Sequence, residues 1–176
     1  MAASSLDQSV KNNVIKWVFF GLSVSLSLFL IINGAIPGDK SGAESNWLAN
    51  VFASIINAFN NGAINDSNFV EFAGVLRKVL GHFLAFLIDG VFISIATFYF
   101  LRTKNWYRFY YPILISFGLG LFVAGLSEVL QIFTADRVGS FTDVLIDMGG
   151  FLLGMAGVYL TLFLTKRLVF VNNQNE

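Results

Sequence analysis

The chain has 176 residues, 56% of them hydrophobic and only 12% charged, where ordinary soluble domains carry roughly a quarter charged residues. That balance argues for a membrane protein, and the lack of any basic patch interleaved with aromatics argues against nucleic acid as a partner. With no cysteine, disulfides, thiolate metal sites and thiol nucleophiles are excluded.

The first thirteen residues, MAASSLDQSVKNN, are polar, and the apolar run VIKWVFFGLSVSLSLFLIIN (14 to 33) that follows is too long for a signal-peptide core. Asn33 is also larger than a cleavage site wants, so the segment reads as a retained anchor and first membrane span. A helix needs about 20 predominantly apolar residues to cross the hydrocarbon. Three more stretches qualify, at 80 to 100, 111 to 133 and 142 to 164. The expected fold is an all-α membrane protein of four transmembrane helices, forming one integral membrane domain over 1 to 176. No second, normally charged domain and no internal repeat is visible.

The connection between the first two spans, 34 to 79, is too long for a structureless loop. Trp47, Leu48, Val51, Phe52, Ile55, Ile56 and Phe59 recur in it at helical spacing, which predicts an amphipathic or re-entrant helix over 45 to 60. Ser45 is its expected N-cap and Asn61-Gly62 its stop. Asn50, Asn57 and Asn60 leave the other face polar and uncharged, and packing against the core is an equal alternative to lying on the interface. A further helix starts at Asp66 or Ser67 and runs through Phe69, Phe72 and Val75 into the second span.

Basic residues orient the spans. With the N-terminus inside, seven of the eleven (Lys11, Lys16, Arg102, Lys104, Arg108, Lys166, Arg167) fall on the inner side, and four (Lys40, Arg77, Lys78, Arg137) on the outer side. Both termini are then cytoplasmic. Trp17, Trp106, Tyr107, Tyr110 and Tyr111 fall at the inner boundary, where an aromatic belt is expected.

This topology brings His82, Glu128, Gln131, Asp143 and Asp147 to similar depth at the outer ends of three spans, with Arg77, Lys78 and Arg137 around them as counter-charges. Glu128 and Gln131 share a helix face, as do Asp143 and Asp147. The second stripe continues through Gly150 and Gly154, which allow a neighbouring helix to approach. Ionisable groups at such depth cost up to about 2.5–3.5 kcal/mol each, and they mark functional sites by default. Asp89 stands apart near the bilayer middle on the face of His82. It reads as a carboxyl hydrogen-bonded to a serine such as Ser116 or Ser127, the alternative being a water-filled path inward.

The run of Glu128, Gln131, Arg137 and Asp143, followed by Gly150 and Gly154, resembles the signature of the VanZ-like membrane protein family. Arg77 and Lys78 followed by His82 resemble the motif that opens its second conserved helix. The chain departs from the family at Asp147, where asparagine is common, and Ser41 and Ser45 match only loosely. The resemblance implies a protein of the bacterial cytoplasmic membrane and cell envelope, linked to resistance against glycopeptide antibiotics, teicoplanin above all. It carries no accepted reaction.

Two functional classes stay open. One is a non-enzymatic protein that binds a lipidic or glycopeptide ligand, or another membrane protein, at an outward-facing cleft formed by Arg77, Lys78, His82, Glu128, Gln131, Arg137, Asp143 and Asp147. The other is a membrane-embedded enzyme acting on a lipid head group, with His82, Glu128, Asp143 and Asp147 as an acid/base set or as ligands of a divalent metal that activates water. A single histidine and the lack of an HExxH spacing weigh against the enzyme, so no cofactor is expected. A transporter fits poorly with four spans that lack repeats.

Overall fold

The computed structural model describes residues 2–36, 38–60, 62–135 and 139–165. Among these, six helices and no strand occur. They are α1 (Ala2–Gly34), α2 (Gly38–Phe59), α3 (Phe69–Arg77), α4 (Ala85–Leu101), α5 (Tyr110–Ile132) and α6 (Phe141–Leu164). A π-helical segment, Lys78–Leu84, joins α3 to α4 without a break. Four stretches are long and apolar enough to cross a membrane: Ser9–Gly34, Phe69–Leu101, Tyr110–Ile132 and Phe141–Leu164. The four spans expected from hydropathy are therefore present, and the second is extended at its start by α3.

α4 lies at the centre and packs against α1, α5 and α6. Its tightest seam is with α6, where glycines replace side chains. A Cβ on Gly90 would strike the carbonyl of Phe151, one on Gly150 that of Phe83, and one on Gly154 that of Leu87. The backbones are thus in direct contact, the arrangement small residues permit in membranes. Phe151 itself is fully buried, its ring filling the space that a side chain on Gly120 of α5 would occupy. Around it Leu30, Phe86, Ile93, Val123, Ala124 and Met148 form the main apolar core.

α1 is the outlying span, with only 11% of its most apolar window buried. Its exposed Val18, Leu28, Phe29 and Ile32 are suited to lipid contact. At one end of the bundle Trp17 meets Phe100 edge to face at 5.3 Å, and Lys16 lies 5.3 Å from both rings. Trp17, Trp106 and Tyr110 are exposed there, as interfacial aromatics should be, whereas Tyr107 is buried. Burial pushes the Tyr107 hydroxyl above the usual tyrosine range.

α2 corrects one boundary. It begins at Gly38, so Ser45 is inside the helix and not its N-cap, and the side chain of Ser45 lies outside the described set. The apolar residues Trp47, Leu48, Val51, Phe52, Ile55 and Phe59 are exposed, while Ala49 and Ala53 are buried. Among the described residues α2 packs only against α3. It is therefore an amphipathic helix on the rim of the bundle, not a core helix. The asparagines explain its exit. Asn57 clamps Ile64 through both its amide groups, at 2.8 and 2.9 Å, while Gly62 adopts a φ of 74° that favours glycine. Asn65 then accepts from the Ser67 N–H at 3.0 Å, closing a turn just ahead of the next helix. α3 accordingly starts at Phe69, two or three residues later than expected.

Candidate functional site

The site lies at the end of the bundle away from the aromatic belt, where α5 ends, α6 begins and the π-helical segment crosses α6. His82 is in that segment. Close contact between Gly150 and the Phe83 carbonyl draws α6 against the residue following His82. The result is a 3.0 Å contact between His82 Nδ1 and Asp147 Oδ1, so an ionised Asp147 accepts the Nδ1 proton. Asp147 is fully buried, and the side chain of His82 is 18% exposed. A π-turn is uncommon and recurs at functional sites because it re-aims one side chain within a continuous helix.

Glu128 approaches from α5 and is buried. Gln131 Nε2 donates to its Oε1 at 2.7 Å, and the Ser140 backbone N–H donates to its Oε2 at 2.9 Å. Ser140 is the N-cap of α6, its hydroxyl accepting from the Thr142 N–H at 3.2 Å. Ser140 and Asp143 have the spacing of a capping box, in which the backbone N–H of the cap residue is taken by a carboxylate. Here Glu128 of α5 takes it, and that bond ties the two helices together. Gly139 permits the tight turn, since a Cβ there would meet the Glu128 carbonyl at 2.6 Å.

A ring nitrogen of His82 and one carboxylate oxygen each from Glu128 and Asp147 all lie within 4.8 Å of one another. The second oxygen of Asp147, Oδ2, has no hydrogen-bond partner among the described residues. Asp143 stands one turn nearer the helix start and is half-buried, its charge bearing on His82, Glu128 and Asp147. The structure therefore unites His82, Glu128, Gln131 and Asp147, with Asp143 at the edge. Arg77 is exposed at the end of α3 and forms no ion pair among the described residues, so it is not the counter-charge expected of it. Arg137 and the side chain of Lys78 lie outside the described residues.

Asp89 belongs elsewhere. Fully buried on α4, it accepts from the Ser27 hydroxyl of α1 at 3.2 and 3.0 Å. Its partner is a serine, as expected, but neither Ser116 nor Ser127 is the one. Ser116 is engaged with Thr97 at 2.6 Å and Tyr159 at 3.0 Å, in a hydroxyl cluster joining α4, α5 and α6. Ser127 reaches the Leu30 carbonyl at 3.5 Å. Ser140 and the cluster of Thr97 and Tyr159 are not foreseen by the sequence reading. The S-x-x-D spacing of Ser140 and Asp143 before an apolar run is the available signal for the first.

Chemically, the site offers a histidine paired with a carboxylate, a second carboxylate held in place by two donors, and one carboxylate oxygen left over. The sequence model of a family described as VanZ/LLP1 matches residues 14–164. No curated protein matches the chain, and no solved structure does.

Proposed function

Because this chain belongs to the VanZ/LLP1 family, we propose that it is a cell-envelope protein of the bacterial cytoplasmic membrane that engages a lipidic or glycopeptide ligand at the His82, Glu128 and Asp147 end of the bundle. In this reading that end faces outward and both termini are cytoplasmic. The observation that carries the proposal is the convergence of buried Glu128, Gln131 and Asp147 with the partly buried His82, from separate pieces of chain, at one end. Purely structural glue would be cheaper without charge, and Asp147 keeps an oxygen unused. Gln131 and the Ser140 N–H hold Glu128 ready to accept from a polar ligand group, while Arg77 is exposed at the rim and free to meet phosphate or carboxylate. An apolar groove of about 420 Å³ between α1, α4 and α5 suits an acyl chain.

The resistance link is the finer part of this reading. It is tested by susceptibility profiles with and without the gene, across teicoplanin, other glycopeptides and unrelated envelope antibiotics. Raised tolerance confined to teicoplanin-type compounds supports it, and an unchanged profile removes it. A second reading, acid/base chemistry on a lipid head group, is favoured by the 3.0 Å pairing of His82 with Asp147, an arrangement that orients an imidazole for proton transfer.

A further inference from the structure

We propose that His82, Glu128 and Asp147 form a binding site for one divalent transition-metal ion of the Zn²⁺ or Mn²⁺ kind. This deepens the ligand-site reading above and rests on it only for the location. The three donors come from the π-helical segment, α5 and α6, so a bound ion would join three pieces of chain at one point. Metal–nitrogen and metal–oxygen bonds of about 2.0–2.2 Å put two ligands of one ion no more than about 4.4 Å apart. The observed limit of 4.8 Å exceeds that by about 0.4 Å, the approach that binding an ion would require. One imidazole and two carboxylates suit Zn²⁺ and Mn²⁺, whereas Mg²⁺ and Ca²⁺ prefer oxygen alone and the softest ions prefer sulfur, which this chain supplies only through methionine.

A second observation points to a ligand. Asp147 is fully buried, yet its Oδ2 has no donor among the described residues, although buried polar atoms are nearly always partnered. No Lys or Arg among the described residues pairs with Glu128 or Asp147. A cation between them would satisfy the orphaned oxygen, and two carboxylates would balance its charge. Glu128 already has the outer support that metal ligands usually need, from Gln131 and the Ser140 N–H. A cavity of about 20 Å³ borders His82 and Gln131, room for one water beside the imidazole.

The rival is a metal-free network in which protonated His82 alone faces Asp147. The full chain, purified without a metal-affinity tag, is stripped with EDTA, loaded separately with Zn²⁺ and Mn²⁺, desalted and assayed by plasma mass spectrometry. The expected result is about one equivalent of one of the two ions, falling roughly tenfold or more in His82→Gln and Asp147→Asn. Asp89→Asn, which alters a buried carboxylate elsewhere, should keep its metal. If either site variant is not monodisperse, Glu128→Gln takes its place, and Co²⁺ absorption of the wild type reads imidazole ligation directly. Less than about a tenth of an equivalent in the wild type overturns the proposal. So does metal retained in all three site variants, or lost equally in Asp89→Asn. No lipid or antibiotic is present, so bound metal alongside a null susceptibility profile would remove the resistance reading and keep the site.

Discussion

Gly150→Ala is a single-methyl test of how the site is assembled. The added Cβ would overlap the Phe83 carbonyl, and contacts of this kind below 3.0 Å are essentially never seen. α6 must therefore back away from the π-helical segment by something on the order of 1 Å, because backbone on both sides leaves no flexible side chain to yield. That displacement would stretch the 3.0 Å contact between His82 and Asp147 to about 4 Å, which is no longer a hydrogen bond. Overpacking costs about 1–3 kcal/mol, and a lost charge-assisted bond about 1.5–3 kcal/mol. Alanine returns about 1 kcal/mol through its better helix propensity. The net is a loss of about 1.5–5 kcal/mol, or roughly 3–20 °C in Tm for a chain of this size. Thermal unfolding of the purified protein in one fixed detergent measures it. Gly149→Ala is the control, because a Cβ there would meet only the Phe83 ring edge at 3.8 Å, an ordinary contact. It should leave Tm unchanged or raise it. A Gly150→Ala protein as stable as the wild type, or an equal fall in both variants, would refute the account of the α4–α6 seam.

Ser27→Ala should destabilise the bundle by about 1–3 kcal/mol, since it strips a buried carboxyl of its donor; the double variant Ser27→Ala with Asp89→Leu should recover most of that in the same unfolding assay. Glu128→Gln and Asp143→Asn should each abolish any susceptibility phenotype while membrane levels hold, and loss of the protein itself would make both residues structural. The native chain has no cysteine, so Thr142→Cys and Asn105→Cys, both at exposed positions, can be labelled without background in intact cells. An impermeant maleimide should modify the Thr142→Cys protein and spare the Asn105→Cys protein, and the reverse would invert the topology.

Depth is legible in the sequence and azimuth is not. Span boundaries fix how far along the bundle axis a residue sits, which is why residue spacing alone groups His82, Glu128, Gln131 and Asp147. Which way a residue faces around its helix depends on packing, and so spacing points Asp89 to Ser116 or Ser127 when its partner is Ser27 on the least buried span. The π-turn at 78–84 leaves no mark on hydropathy, because a one-residue change of phase is invisible in a run that is apolar throughout. Polar loop chemistry escapes for a different reason. Asn57, Asn65 and Ser140 act through backbone groups, whose positions no residue spacing reveals. The glycine stripe is legible because it depends only on period and size.

The same stripe divides the bundle mechanically. Between α6 and the continuous helix of the π-helical segment and α4, the contacts at Gly90, Gly150 and Gly154 are backbone on backbone, a keyed joint that resists both sliding and rotation, since any shift drives main-chain atoms into one another. α1 is fastened otherwise. A close approach of Gly34 to the Ser127 carbonyl and the Thr134 hydroxyl bond to the Gly34 carbonyl at 3.3 Å pin its end beside the site. Along the rest of its length side chains alone hold it. The least tightly keyed span among the described residues is therefore α1, a single helix fixed by its end beside the polar cluster.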